Sequence, residues 1–345
     1  MRIGEMERPY RSMFLSIDGI LRENCMYMYM TTCLTFAVII STRYRDLENV
    51  YQGLKAAPPE PVYITYPAGM ELLEKASVVR GKSVFFVDAS SGGCVGHRLA
   101  CAIESASNHS GDVILVTNRV PSPDCDALRL LYEIAPKFRV ATVDFGELFD
   151  DTPLLDWYDD RSADLEQDAL HYALSLVILW KYGGVYFDND IVVINQIKGV
   201  SNAIGRVSPV ELGLDAMFFY RHHRFLEHCM LRLAHNGVIY RGHRGGVELA
   251  RTLRQHCRAW NEEGVISCGN LHLLPSSAFY PVKRDEADQF YRFPPLGVED
   301  DSYATSYMVK LWPLAEPGRF GGLWRDSAYD VLTRTHCPFT RNETL

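Results

Sequence analysis

The stretch KYGGVYFDND, Lys181 to Asp190, sets two carboxylates one residue apart at the end of a short aromatic run. Acids so spaced can share a divalent cation that takes oxygen ligands, stays partly hydrated and bridges to phosphates. Side chains alternate across an extended strand, so Asp188 and Asp190 converge on one cation only if the chain turns at Asn189. A calcium loop of the D-x-[DN]-x-[DN]-G type is excluded, because Val192 and Val193 stand where it needs an acid and a glycine. An isolated Asp-x-Asp is as a rule a solvated turn, so its surroundings carry the argument. Upstream, Asp168 and His171 are spaced i, i+3 and share one face of a helix. A carboxylate there can accept hydrogen bonds from sugar hydroxyls while metal-bound acids hold a diphosphate. Singly, Asp168 also reads as a helix-start charge favoured by the macrodipole, and His171 as a satisfied core histidine.

The elements that must position these groups follow from periodicity. LEQDALHYALSLVILWKYGG is apolar nearly all round, which predicts a buried helix. Gly183 or Gly184 supplies its left-handed C-cap, and VYFDND is then a strand that ends at the acids. Before it, KSVFFVD, GDVILVTN and FRVATVDF read as buried strands, with RLACAIESASNH as a helix between the first two. Strands alternating with helices predict an α/β fold built on a mostly parallel central sheet flanked by helices. Open sheets of this kind bind ligands beyond the carboxyl ends of their strands, where the acids emerge. Past IVVINQI the pattern is mixed, with helices predicted at RFLEHCMLRLAHN and GGVELARTLRQHCRAWNEEG.

The whole chain has 345 residues, 47% of them hydrophobic and 23% charged, with a formal charge of −8. That is globular composition, and the acidic balance without a basic stripe argues against nucleic acid as a partner. The longest uncharged apolar run, Cys25 to Ser41, is near the lower length limit of a membrane-spanning helix. Arg2, Arg8, Arg11 and Arg22 precede it, which favours a cytosolic N-terminus. The expected organisation is a cytosolic tail at 1–24, a signal anchor at 25–41 and a stem at 42–78. Two further parts, at 79–200 and 201–345, follow. The expected placement is a single-pass type II membrane protein with the part after the anchor luminal. Cys257 and Cys268 flank a segment suited to a local disulfide. The seven cysteines after the anchor are odd in number, so at least one is left over.

QDALHYALSLVILWKYGGVYFDNDIVVI resembles the DxD region of the α1,4-glycosyltransferases. ELFDDTPLLDWY, HCM at 228–230, LLPSSAFYPV and THCP follow in the same order as their counterparts in that family, so the resemblance spans roughly residues 80 to 340. It implies an A-type nucleotide-sugar glycosyltransferase fold with a nucleotide-sugar half at 79–200 and an acceptor-side half at 201–345, its catalytic domain in the Golgi lumen. The reaction it implies is transfer of a hexose with retention, galactose from UDP-galactose in α1,4 linkage to a glycosphingolipid or other glycan. It also implies Mn²⁺ bridging Asp188 and Asp190 to the UDP diphosphate, with Asp188 also reaching ribose or sugar, and Asp168 binding a donor-sugar hydroxyl.

Departures from the family pattern fall around the same place. The arginine expected at position 171 is His171, and the family's HVW is Lys310-Leu311-Trp312. A protonated lysine cannot ligate a metal, and Lys310 is instead a candidate partner for the diphosphate. GHRGG at 242–246 keeps His243 but has Arg244 for a glutamine. In GLDAMFF, Asp215 stands as the polar candidate where NGAF is expected. Asp215, His243 and Trp312 are thus the acceptor-side candidates. Phe218, Phe219 and Tyr220 could stack on a sugar or pack in the core. The functional alternatives are a UDP-GalNAc- or UDP-GlcNAc-dependent enzyme, and a catalytically weak relative that binds nucleotide sugar or a partner enzyme.

Overall fold

Three five-residue segments, VFFVD, VILVT and FRVAT, are rich in branched and aromatic residues and mostly buried, the composition of strands covered on both faces. In the computed structural model they are β2 (Val84–Asp88), β3 (Val113–Thr117) and β4 (Phe138–Thr142), all parallel. A nine-stranded mixed, mostly parallel sheet grows from them in the order β1-β4-β3-β2-β5-β8-β7-β10-β9. Its remaining strands are β1 (Ile64–Thr65), β5 (Gly184–Phe187), β7 (Ala203–Ser208), β8 (Glu211–Phe219), β9 (Ser267–Cys268) and β10 (Leu271–Leu274). A separate antiparallel pair joins β6 (Ile191–Val193) to β11 (Met308–Lys310).

The structure describes residues 64–65, 83–90, 92–110, 112–162, 164–197, 199–236, 243–257, 267–268, 270–292, 303–312 and 325–341. The tail and signal anchor expected at 1–41 lie outside them, as does most of the stem expected at 42–78. The edge strand β1 falls within that stem segment and pairs with Ala141 and Thr142 of β4. Among the described residues no helix is long and apolar enough to cross a membrane.

Helices cover both faces of the sheet. On one face α1 (His97–His109) buries Leu99 and Ile103 in a cluster with Phe86. On the other, the sixteen-residue α5 (Gln167–Tyr182) buries Leu174, Val177 and Ile178 with Phe85. Alternate residues of one strand thus feed two cores. Between them in sequence come α2 (Asp126–Ile134), α3 (Phe145–Phe149) and α4 (Leu155–Asp159). After β8 follow α6 (Arg224–Asn236), α7 (His243–His256), α8 (Ser276–Phe279), α9 (Ala287–Phe290) and α10 (Ala328–His336). The α6 helix spans the segment expected, and α7 begins two residues before its expected start. Phe218 and Phe219 are core residues, at 1% and 2% exposure, while Tyr220 is 56% exposed.

The turn from α5 into β5 is fixed by two glycines. Gly183 caps the helix at φ 68° and donates its N–H to Leu179. Gly184 sits at φ 110°, and a Cβ there would stand 2.5 Å from the Ser83 carbonyl oxygen. No L-residue fits both constraints. This turn delivers β5 to the side of β2 away from β3, which makes the space between β2 and β5 the topological switch point.

Disulfides Cys94–Cys125 and Cys101–Cys337 are present, Cys229 is free and buried, and Cys257 is disulfide-bonded. The Cys268 side chain, its expected partner, lies outside the described residues. Cys101–Cys337 ties α10 to α1, and the buried Glu104 carboxylate accepts the backbone N–H and hydroxyl of Thr340 at 2.8 and 2.6 Å. At the same seam the rings of His109 and His336 lie 6.3 Å apart.

Two predictions follow from this frame. Gly184→Ala should destabilise the chain by about 2 kcal/mol, read as a lowered urea midpoint at unchanged slope. Burial holds both His109 and His336 below the ordinary histidine value, and in His336 the neighbouring His109 adds to the shift. Their folded pKa values being depressed, the unfolded chain takes up protons first. Stability should therefore be full at neutral pH and decline as pH falls below about 6.5. His336→Gln should flatten that decline in thermal melts across the acid range.

Candidate active site

Carboxylates collect at the switch point because several strands end there. Asp88 is the last residue of β2, Asp188 follows β5, and Asp215 lies on β8 opposite the end of β5. Antiparallel pairing matches Phe187 with Ala216, and the Asp188 N–H donates to the Asp215 carbonyl at 2.9 Å. Asn189 and Asp190 then form a bend that leads into β6. There the Asp190 carbonyl accepts from the Leu311 N–H at 2.8 Å, and Lys310 pairs with Ile191. A strand from the C-terminal part of the chain is thereby hydrogen-bonded to the Asp-x-Asp bend itself.

Its side chain enters the acids. Lys310 Nζ lies 2.8 Å from Asp188 Oδ2 and 2.5 Å from Asp215 Oδ1, and the lysine side chain is 8% exposed. Tyr280 donates its hydroxyl to the other Asp215 oxygen at 2.9 Å. Burial disfavours the Lys310 charge, yet Asp188, Asp215 and Asp190 together outweigh it and raise its pKa well above the ordinary lysine value. One ammonium cannot serve two acids equally. Burial favours protonation of Asp188, but Lys310 prevails and holds that carboxyl well below its usual range. Asp215 moves the other way, because burial and the Asp188 charge overcome the same lysine.

The second acid of the motif faces a different cation. Asp190 Oδ1 is 3.3 Å from Nη1 of Arg98, in the first turn of α1. The bend at Asn189 thus turns the two acids towards separate partners rather than one. Asp168 is exposed in the first turn of α5. His171, one turn on, is a neutral imidazole, since burial lowers its pKa more than Asp188, Asp88 and Asp168 raise it. Its Nε2 and the Asn189 Oδ1 are buried without hydrogen-bond partners.

Asp168, His171, Asp188, Asp190, Asp215 and Lys310 are therefore gathered around one end of the sheet. The remaining two candidates are placed differently. Trp312 is 5% exposed, donates its indole N–H to the Val282 carbonyl at 2.8 Å, and packs 5.9 Å from the Tyr280 ring. It therefore backs Tyr280 instead of facing an acceptor. His243 begins α7, and its side chain lies outside the described residues.

Sequence reasoning missed Asp88, Arg98 and Tyr280. Asp88 had a signal, an acid ending an aromatic strand just as in VYFD. Tyr280 sits in the quoted segment LLPSSAFYPV, but its role depends on Gly213. A Cβ on Gly213 would stand 1.6 Å from the Tyr280 hydroxyl, so the glycine is what admits the phenol to Asp215. Nothing local marks Arg98.

The manganese expected at Asp188 and Asp190 can be tested against this donor set. The focus of the acids holds an ammonium, Asp190 holds a guanidinium, and a lysine stands where the family's histidine is expected. Among the described residues no group of three or more His, Cys, Asp or Glu side chains is arranged to hold a metal ion. A unit charge about 4 Å from another repels it by about 4 kcal/mol at the effective dielectric of a protein surface, and a divalent ion doubles that. As placed, these residues do not fit a divalent metal.

Residues 96–210 match the glycosyltransferase sugar-binding region containing the DXD motif, and residues 218–344 the alpha 1,4-glycosyltransferase conserved region. Site and sequence thus define a glycosyltransferase of the DXD class. Similar curated proteins include lactosylceramide 4-alpha-galactosyltransferase of Pongo pygmaeus, 31% identical over 59% of this chain and 96% of its own length. The Pan troglodytes enzyme of the same name is 27% identical over 75% and 76%. Human alpha-1,4-N-acetylglucosaminyltransferase is 28% identical over 76% and 81%. The chain belongs to the α1,4-glycosyltransferase family and is a hexosyltransferase of that family.

Removing the ammonium should expose what it compensates. Lys310→Met should cost about 2 kcal/mol, since it leaves two half-buried carboxylates side by side with no cation between them. Adding Asp215→Asn should restore most of that loss in a double-mutant cycle by urea denaturation.

Proposed function

We propose that the chain transfers galactose from UDP-galactose in α1,4 linkage, with retention, to a glycosphingolipid, as a Golgi type II membrane protein. The observation that carries this reading is His171, set among Asp188, Asp88 and Asp168 with its Nε2 buried and without a hydrogen-bond partner. Carboxylates and an imidazole nitrogen are a polar set that a polyhydroxylated sugar satisfies. Asp168 and His171 are assigned to donor-sugar hydroxyls, Asp188 to ribose or sugar, and Lys310 to the diphosphate. The acceptor hydroxyl attacks the anomeric carbon on the face from which UDP departs. The carbon–oxygen bond to the diphosphate breaks with its electron pair going to UDP, and the hydroxyl proton passes to a diphosphate oxygen. Asp215 on β8, which accepts the hydroxyl of Tyr280 just after α8, is assigned to the acceptor side.

The human N-acetylglucosaminyltransferase relative, as similar as the galactosyltransferases, favours a second donor, UDP-GlcNAc. The lysine held by both Asp188 and Asp215 favours a third reading, a chain that binds nucleotide sugar without transferring it. The test is turnover by the full-length chain of UDP-galactose, UDP-GalNAc, UDP-GlcNAc and UDP-glucose with lactosylceramide. UDP-galactose should be consumed and trihexosylceramide formed, with a loss of about a hundredfold in Asp188→Asn. Turnover of another donor alone would replace the donor, and UDP binding without any turnover would select the third reading.

A further inference from the structure

The cations around the Asp-x-Asp bend are built into the protein. Lys310 cannot readily leave. Its backbone is fixed by the β6–β11 pairing, its side chain is 8% exposed, and it lies within hydrogen-bond distance of two carboxylates. Of the two carboxylates that hold it, Asp188 is one of the pair, Asp188 and Asp190, on which a shared divalent ion is expected to rest. Arg98 closes the other side at Asp190, is 28% exposed, and can turn toward a ligand without unfolding its helix. An ammonium and a guanidinium on either side of one bend present point-charge and forked donors, both suited to phosphate oxygens.

We infer that Lys310 and Arg98 are the resident cations for the donor's diphosphate, and that this chain binds a nucleoside diphosphate without a divalent metal. The inference rests on the donor-site reading above and goes beyond it by naming what neutralises the phosphates. It also assigns the lysine at position 310 a consequence: a metal and this ammonium compete for the same carboxylate oxygens, so the chain has one or the other.

The experiment is titration calorimetry of the full-length chain with UDP, once in excess chelator and once in Mn²⁺, alongside electron paramagnetic resonance of Mn²⁺ mixed with the protein. Wild type should bind UDP with dissociation constants agreeing to within about twofold in the two media, and should leave the Mn²⁺ spectrum that of the free ion. Lys310→His should weaken UDP binding about tenfold in chelator, regain it with Mn²⁺, and produce a bound-Mn²⁺ signal. Arg98→Gln, a half-exposed change that leaves the core intact, should weaken UDP in both media about equally. Should wild type bind UDP only with Mn²⁺ and show the bound-ion signal, the inference fails while the donor-site reading stands. Failure of UDP to bind in either medium would overturn the donor-site reading, and this inference with it.

Discussion

The ion contact of Lys310 with Asp188 and Asp215 is the constraint around which the rest of this site is arranged. Its three residues come from the end of β5, the middle of β8 and the end of β11, so it joins the parallel part of the sheet, the antiparallel part and the C-terminal segment. Each contribution requires a local device. The double glycine lets α5 turn back into β5, Gly213 makes room for the Tyr280 hydroxyl that holds Asp215, and the β6–β11 pairing sets Lys310 opposite Ile191. A buried ion cluster is an expensive element, since desolvation opposes every charge in it. Here the surrounding hydrogen bonds are numerous enough to fix its geometry, which is the usual condition for such a cluster to persist in a fold.

The parallel part of the fold was legible in the sequence, and the physical reason is coverage. Strands β2, β3 and β4 are packed on both faces, so they read as unbroken apolar runs, and α5 reads as apolar all round for the same reason. The β7–β8 hairpin was not legible. Its ladder shifts register at Ile204/Arg206 and again at Arg206/Ser208, and β8 carries Gly213 and Asp215 inside the strand. Irregular pairing of that kind leaves no clean period of two. The pairing of β1 was not legible either, because a two-residue edge strand has no period to detect.

At the site, the acids were legible and their partners were not. Asp168, His171, Asp188 and Asp190 lie within one helix–turn–strand unit, so spacing alone brings them together. Lys310 is 122 residues from Asp188, and Arg98 is 92 from Asp190. Contacts of that separation are set by strand order and not by local pattern. Lys310 came into view only through the family resemblance, as a residue out of place, and Arg98 did not come into view at all. The nearest cations to the two acids differ, Lys310 for Asp188 and Arg98 for Asp190, for a related reason. The bend at Asn189 was foreseen, but which groups occupy either side of it depends on α1 and β11, two elements remote in sequence.

Two of the departures from the family pattern, at positions 171 and 310, are better understood together than singly. Replacing the expected arginine by His171 removes a positive charge, since burial keeps that imidazole neutral despite three nearby carboxylates. Replacing the expected histidine by Lys310 adds one, since Asp188, Asp215 and Asp190 keep the ammonium charged despite its burial. Across these two positions the number of side-chain cations is preserved, while their place moves from the helix that carries Asp168 to the strand that abuts Asp190. A positive charge that leaves the sugar side of a site and reappears between its acids changes what each side can recognise. The helix face around His171 is left with neutral hydrogen-bonding chemistry, matched to hydroxyls. The bend is left with permanent positive charge, matched to phosphate. On the proposed reading, a site partitioned in this way would discriminate its ligand's two halves by charge, with side chains that the β6–β11 pairing and the α5–β5 turn hold in place.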